Sequence, residues 1–123
     1  MAKRILVVDD EPDLLKVLLY RLKKTGYEVL GGVNGQEALG LARQIIPDLI
    51  ILDIYLPIIN GVEVAKQLKS NEQLKHIPII LISATTQKIV DEFKESQADD
   101  YLTKPFEPEE LIAKVKKFIT SGT

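Results

Sequence analysis

Short apolar runs alternate with longer segments whose apolar residues recur at helical spacing, and the alternation repeats five times along the chain. Residues 5–8 (ILVV) are continuously apolar and partly β-branched, as suits a parallel strand buried on both faces. Pro12 fits the first turn of a helix, where its missing N–H leaves no bond unmade. Leu15, Leu18, Leu19 and Leu22 follow at helical spacing, and Gly26 is the stop. Residues 27–30 read as a second strand. Asn34 caps a second helix whose inner face is Ala38, Leu41, Ala42 and Ile45, and Pro47 ends it. Residues 49–52 form a central strand, after which Asn60 and Glu63 resemble a capping box for a third helix. A fourth strand is predicted over 77–82, then a shorter helix over 86–97 with Ile89, Val90 and Phe93 inside. A short fifth strand covers 101–103. Pro108 opens the last helix, which buries Leu111, Ile112, Val115, Phe118 and Ile119. Its acids (Glu107, Glu109, Glu110) come first and its lysines (Lys114, Lys116, Lys117) last, the order the helix dipole favours.

Strict βα alternation with right-handed crossovers gives a parallel sheet covered on both faces, an α/β three-layer sandwich. With 123 residues the chain is expected to form one domain, 1–123, ordered over about 3–120. A composition 46% apolar and 28% charged is that of an ordinary soluble domain. A net charge of −2 gives no reason to expect electrostatic binding of nucleic acid or of an acidic membrane. The absence of cysteine excludes disulfides and thiolate zinc sites. The N-terminal MAKRILVVDDEPD meets acid too early for a secretory apolar region, and LIILDIYLPII is too short to cross a bilayer, so a cytoplasmic location is expected.

The chemistry lies where the apolar runs stop. Asp9 and Asp10 follow the first run, Asp53 the third, Ser83 and Ala84 the fourth, and Lys104 the fifth. In an open α/β sheet, ligands bind outside the carboxyl ends of the strands. An isolated pair of adjacent acids is more often a solvated loop. Asp53, however, ends a strand that reads as buried, where a lone carboxylate is costly unless it is paired. Three carboxylates in one crevice repel one another, and a hard cation relieves that. Mg²⁺ typically takes one or two protein carboxylates, several waters and a phosphate oxygen. Lys104 supplies charge balance and a point contact for a phosphoryl oxygen. Ser83 supplies a hydrogen bond.

In combination, VVDDEPD, LDIYLP followed by NG, SA, and DDYLTKPF resemble the receiver domain of bacterial response regulators, the phospho-accepting half of two-component signalling, over essentially the full chain. The resemblance implies a flavodoxin-like sheet in the order 2-1-3-4-5. It makes Asp53 the phosphorylated residue. Asp10, Asp53 and the backbone carbonyl of Tyr55 become the direct Mg²⁺ ligands, with Asp9 acting mostly through water and Mn²⁺ able to substitute. Ser83, Lys104 and the N–H of Ala84 hold the phosphoryl oxygens, and the Lys104–Pro105 bond is usually cis. Ser83 and Tyr101 form the switch: phosphorylation draws the Ser83 hydroxyl, turns Tyr101 inward and remodels the face of the fourth helix, fifth strand and last helix. The implied partners are a sensor histidine kinase or phosphotransfer protein, docking on the first helix and the loop before the last, and a downstream protein. Neither direct nucleic-acid binding nor membrane contact is implied. The resemblance further implies a chain that catalyses its own phosphorylation and dephosphorylation and is not a dedicated enzyme. It is expected to be a monomer or a weak phosphorylation-dependent dimer.

DDYLTKPFEPEEL also resembles receivers attached to winged-helix DNA-binding domains, so the alternative is a receiver cut from a transcriptional regulator. Asp100 stands where such receivers often form ion pairs between subunits. Departures from the pattern are Ile58 and Gln97, each at a position where glycine is usual, and Ile59-Asn60 where Met-Asp is frequent. Ile58 and Ile59 make an apolar knob beside Asp53. Tyr55 and Thr85 are expected to affect water access and to slow hydrolysis. His76, the only histidine, reads as a solvated loop residue. A hydrolase of the haloacid-dehalogenase type wants a second aspartate two residues after its nucleophile, where this chain has Tyr55. A flavodoxin-type carrier or a P-loop needs a phosphate loop after the first strand, and Asp9-Asp10-Glu11 would repel a phosphate there.

Overall fold

Successive strand residues point to opposite faces, so continuously apolar strands create two cores, one on each side of a single sheet. The computed structural model describes residues 2–84 and 87–119. Its five parallel strands are β1 (Arg4–Val8), β2 (Glu28–Gly32), β3 (Leu49–Asp53), β4 (Ile79–Ala84) and β5 (Asp100–Lys104). They lie in the order β2-β1-β3-β4-β5. Between and after them run α1 (Pro12–Thr25), α2 (Gly35–Ile45), α3 (Gly61–Lys69), α4 (Ile89–Ser96) and α5 (Pro108–Phe118). The flavodoxin-like order that the family resemblance implied is therefore present.

The parity of the strands decides which helices lie on which face. Ile5, Val7, Leu49, Ile51, Ile80 and Ile82 pack with Leu18 and Leu22 of α1 and with Leu111 and Val115 of α5. Their neighbours Leu6, Val8, Ile50, Leu52, Ile79 and Leu81 pack with α2, α3 and α4. Burying one such side chain contributes roughly 1.5–3 kcal/mol, and β3 is buried along its whole length.

Helix ends follow the expected chemistry. Asn34 and Asn60 accept hydrogen bonds from the backbone N–H groups of Glu37 and Glu63. The Glu37 carboxylate reaches back to the N–H of Val33 at 2.8 Å. Among the described hydrogen bonds Glu63 makes no such return, whereas Glu110 does, accepting from the N–H of Glu107 at 3.0 Å. Gly26 ends α1 at φ 110°, with its own N–H and that of Tyr27 closing onto the last turn.

Several boundaries differ from the sequence reading. β2 starts at Glu28, because the N–H of Tyr27 is committed to the carbonyl of Leu22 in the helix cap. β4 starts at Ile79, because Pro78 has no N–H and Ile77 closes a turn onto Leu74. The helix expected from Thr86 is described from Ile89, and Thr85 and Thr86 lie outside the described residues. Val90 is 45% exposed rather than inside, while Leu39, absent from the expected face of α2, is buried. Ile112, Phe118 and Ile119 of the last helical segment are half-buried against the core.

Ile46, Ile58 and Gln97 adopt positive φ (45°, 73° and 64°). Two of these are the positions where the sequence departs from glycine. The left-handed conformation costs an L-residue about 1–2 kcal/mol, and a β-branched residue such as Ile58 more than most.

Candidate functional site: a carboxylate cluster around one lysine

Asp53, Ser83 and Lys104 are the last or next-to-last residues of their strands, so sheet hydrogen bonding fixes their backbones. Asp9 and Asp10 follow β1 directly, and the Asp9 N–H donates to the carbonyl of Gly32 at 3.1 Å. The chain then turns sharply, with Asp9 Oδ1 accepting from the Glu11 N–H at 2.8 Å. On the far side of Asp53 the fit is tight. A Cβ on Gly61 would lie 2.1 Å from the Asp53 carbonyl oxygen, and one on Gly35 would lie 1.9 Å from that of Ile59. The two glycines let α2 and α3 close against the loop that follows β3.

Asp9, Asp10 and Asp53 each offer a carboxylate oxygen within 4.8 Å of the others. Asp9 and Asp53 are buried, whereas Asp10 is exposed. The Lys104 Nζ lies 3.0 Å from Asp9 Oδ2, 3.3 Å from Asp53 Oδ2 and 2.6 Å from Glu11 Oε1. Asp9 Oδ2 lacks a well-directed hydrogen bond, but the ammonium 3.0 Å away satisfies it electrostatically. The Asp53 carboxylate also receives a long 3.4 Å bond from the N–H of Tyr55. Burial, and then the charge of Asp9, push the Asp53 carboxyl above the usual carboxylate range, and Lys104 only partly counters them. For Lys104, burial opposes the charge. The hydrogen bond to Glu11 and the close negative charges of Asp9 and Asp53 outweigh it and hold the ammonium well above the ordinary lysine range.

Ser83 is buried, and its hydroxyl has no hydrogen-bond partner among the described residues. A buried hydroxyl left unpaired costs about 1–3 kcal/mol. The same edge carries four carboxylates, Asp9, Asp10, Glu11 and Asp53, with one resident cation, and two of them, Asp10 and Glu11, are exposed. This donor set fits a divalent cation at the aspartates and an anionic oxygen between Ser83 and Lys104.

Asp9, Asp10, Asp53, Ser83, Ala84 and Lys104 lie at this C-terminal edge of the sheet, whereas Asp100 and Tyr101 open β5 at its other end, His76 precedes β4, and Thr85 lies outside the described residues. Tyr101 is half-buried, its ring 5.0 Å from that of Phe93 on α4. The Lys104–Pro105 bond is cis. Ile59 packs against the core and Ile58 is 70% exposed, so only one half of the expected apolar knob faces outward. Asp100 is engaged within the chain by Lys114 at 3.1 Å. His76 is exposed. The contact made by Glu11 was missed, because in sequence it is one more acid opening a helix.

The fold and this cluster define an aspartate-based α/β signalling module. The family model for the response regulator receiver domain matches residues 5–116. The chain belongs to that family, the receiver domains of two-component signalling. It is 42% identical over 120 residues to the alkaline phosphatase synthesis transcriptional regulatory protein PhoP of Bacillus subtilis, covering 97% of this chain and 49% of that protein. A solved putative response regulator from Chloroflexus aurantiacus superposes with a TM-score of 0.91 at 34% identity, covering 96% of this chain and 98% of that one. The Thermotoga maritima response regulator TrrA, solved in complex with Mg²⁺-BeF, gives 0.85 at 42% identity, covering 95% and 99%. The chain spans about half the length of the curated relatives it matches. No described helix is long and apolar enough to cross a membrane.

Proposed function

We propose that Asp53 accepts a phosphoryl group from a phosphohistidine of a sensor kinase or phosphotransfer protein, or from a small phosphodonor. The observation that carries this is a buried Ser83 hydroxyl, without a hydrogen-bond partner among the described residues, at the same strand-end edge as a buried Asp53 carboxylate held by Lys104. An Asp53 oxygen attacks phosphorus, a new O–P bond forms, and the bond to the donor nitrogen or oxygen breaks with its electron pair leaving on the donor. Lys104, the Ser83 hydroxyl and the N–H of Ala84 bind the phosphoryl oxygens. Little covalent work is asked of the protein, so positioning and charge neutralisation supply most of the rate. Asp10, Asp53 and the Tyr55 carbonyl would hold Mg²⁺, with Mn²⁺ as a substitute. Asp9, already committed to Lys104 and the Glu11 N–H, would act through water. Bound there, the cation would neutralise charge developing on the transferred group. Water later cleaves the acyl phosphate, returning the Asp53 carboxylate.

Ser83 and Tyr101 form the switch in this reading. The dianion draws the Ser83 hydroxyl, and Tyr101, now half-buried against Phe93, turns inward and reshapes the surface of α4, β5 and α5. Residues 1–123 act as one receiver domain in the cytoplasm, without direct nucleic-acid or membrane contact, as a monomer or a weak phosphorylation-dependent dimer. The chemistry serves signalling rather than turnover of a substrate. A second reading keeps the same chemistry and couples it to a DNA-binding output. The relatives that are transcriptional regulators and about twice as long favour it.

Intact mass after incubation with Mg²⁺ and acetyl phosphate or phosphoramidate tests the proposal. Wild type should gain one phosphoryl group only with Mg²⁺, and Asp53→Ala should gain none. Absence of the adduct with these donors and with a phosphohistidine donor would refute it.

A further inference from the structure

Tyr55 touches the site twice, from opposite ends of the residue. Its backbone N–H faces Asp53 Oδ1 at 3.4 Å. Its phenol hydroxyl lies 3.1 and 3.2 Å from the two carboxylate oxygens of Glu92, so one proton is shared between them. Glu92 is in the first turn of α4. The Tyr55 side chain therefore runs from the loop after β3 to the helix after β4. It joins the residue that would carry the phosphoryl group to the element that would respond.

The helix at the far end of this bridge is short and packs on α3. α4 has eight residues and a left-handed non-glycine residue, Gln97, at its C-terminus. Its inward contacts come chiefly from Ile89 and Phe93. A hydrogen bond to an ionised carboxylate is among the stronger single contacts available to such a helix. The bridge also holds the Glu92 charge one tyrosine away from Asp53. With Mg²⁺ already bound, turning the Asp53 carboxylate into an acyl phosphate would raise its charge from one to as many as two negative charges, a net gain of up to one on that side, and would disfavour the arrangement.

We propose that the Tyr55–Glu92 hydrogen bond is a latch that holds α4 in its resting position and opposes occupancy of Asp53 by a phosphoryl group. The latch rests on the proposed function of Asp53. Because coupling between two sites is reciprocal, a contact that occupancy weakens must itself weaken occupancy. Removing the latch should strengthen binding of a phosphoryl mimic on the order of fivefold, in line with the loss of one partly exposed charged hydrogen bond.

The test is titration with beryllofluoride and Mg²⁺ on wild type, Tyr55→Phe, Glu92→Gln and the double variant, with amide hydrogen exchange of α4 measured alongside. Tyr55→Phe keeps the ring and the Glu92 charge and removes only the bond. Both single variants should bind the mimic several-fold more tightly, the double variant no more tightly than either, and α4 of unliganded Tyr55→Phe should exchange faster. Tighter binding in Glu92→Gln alone would mean that only long-range charge acts, and the latch would be wrong. Equal affinities in all four proteins would also overturn it. If wild type bound no mimic and gained no phosphoryl group, the reading of Asp53 would fail and take the latch with it.

Discussion

Asp53 has conflicting surroundings. It is 4% exposed, it faces the charge of Asp9, and its cationic partner is shared with two other carboxylates. Its folded pKa is raised above that of the unfolded chain by burial first and Asp9 second. The folded state therefore binds the proton more tightly. The stability this contributes is present below the ordinary carboxylate pKa and is lost as pH rises through the raised value. Without divalent cation, Asp53→Asn should be more stable than wild type at neutral pH. The gap should close as pH falls to the ordinary carboxylate range. Urea midpoints across pH 4 to 8 would check this, and a gap that widened on acidification would contradict the assignment of charge. At this scale the sequence was eloquent about identity: Asp9, Asp10, Asp53, Ser83 and Lys104 were all legible from their places after apolar runs. Partnership was not legible. That Lys104 sits closest to Glu11 depends on the turn after Asp9, and no spacing rule gives it.

The elements show where local preference and tertiary demand disagree. Gln97 ends α4 and Ile58 lies in the loop before α3, both left-handed. Neither side chain is buried, so glycine would relieve backbone strain with little loss of packing. Gln97→Gly and Ile58→Gly should each stabilise the fold by about 1 kcal/mol, the relief being partly offset by glycine's larger unfolded-state entropy. Chemical denaturation would measure both. Only Gln97→Gly should also slow amide exchange within α4. A destabilising Ile58→Gly would mean that the exposed isoleucine makes contacts its 70% exposure does not suggest. Element type was readable throughout, because short continuous apolar runs bounded by turn residues differ in length and pattern from the longer segments with apolar residues at helical spacing. Boundaries were less so. The start of β4 depends on the carbonyl that claims the N–H of Ile77, and that of β2 on how the Gly26 cap closes.

For the whole molecule, the site exists only when the sheet is assembled. Asp9 and Asp10 follow β1, Asp53 ends β3 and Lys104 ends β5, and in the unfolded chain nothing brings them together. A cation held by the three aspartates would therefore bind the folded state alone and raise its stability by mass action, by about 2.7 kcal/mol at a concentration one hundred times its Kd. Thermal unfolding should shift upward with added Mg²⁺, and Asp10→Ala should abolish most of the shift. An equal shift in wild type and variant would indicate non-specific salt effects. The amino-acid sequence by itself determined the alternation of strands and helices, the burial of the sheet on both faces and the chemical types gathered at its edge. Hydrophobic period, capping residues and strand-end polarity are properties of neighbouring residues. Only the tertiary structure decided that Asp9 rather than Asp10 is the buried acid, that the Ser83 hydroxyl has no partner among the described residues, and that Tyr55 reaches Glu92. Those facts depend on distances between residues far apart in the chain, which packing sets and local pattern does not encode.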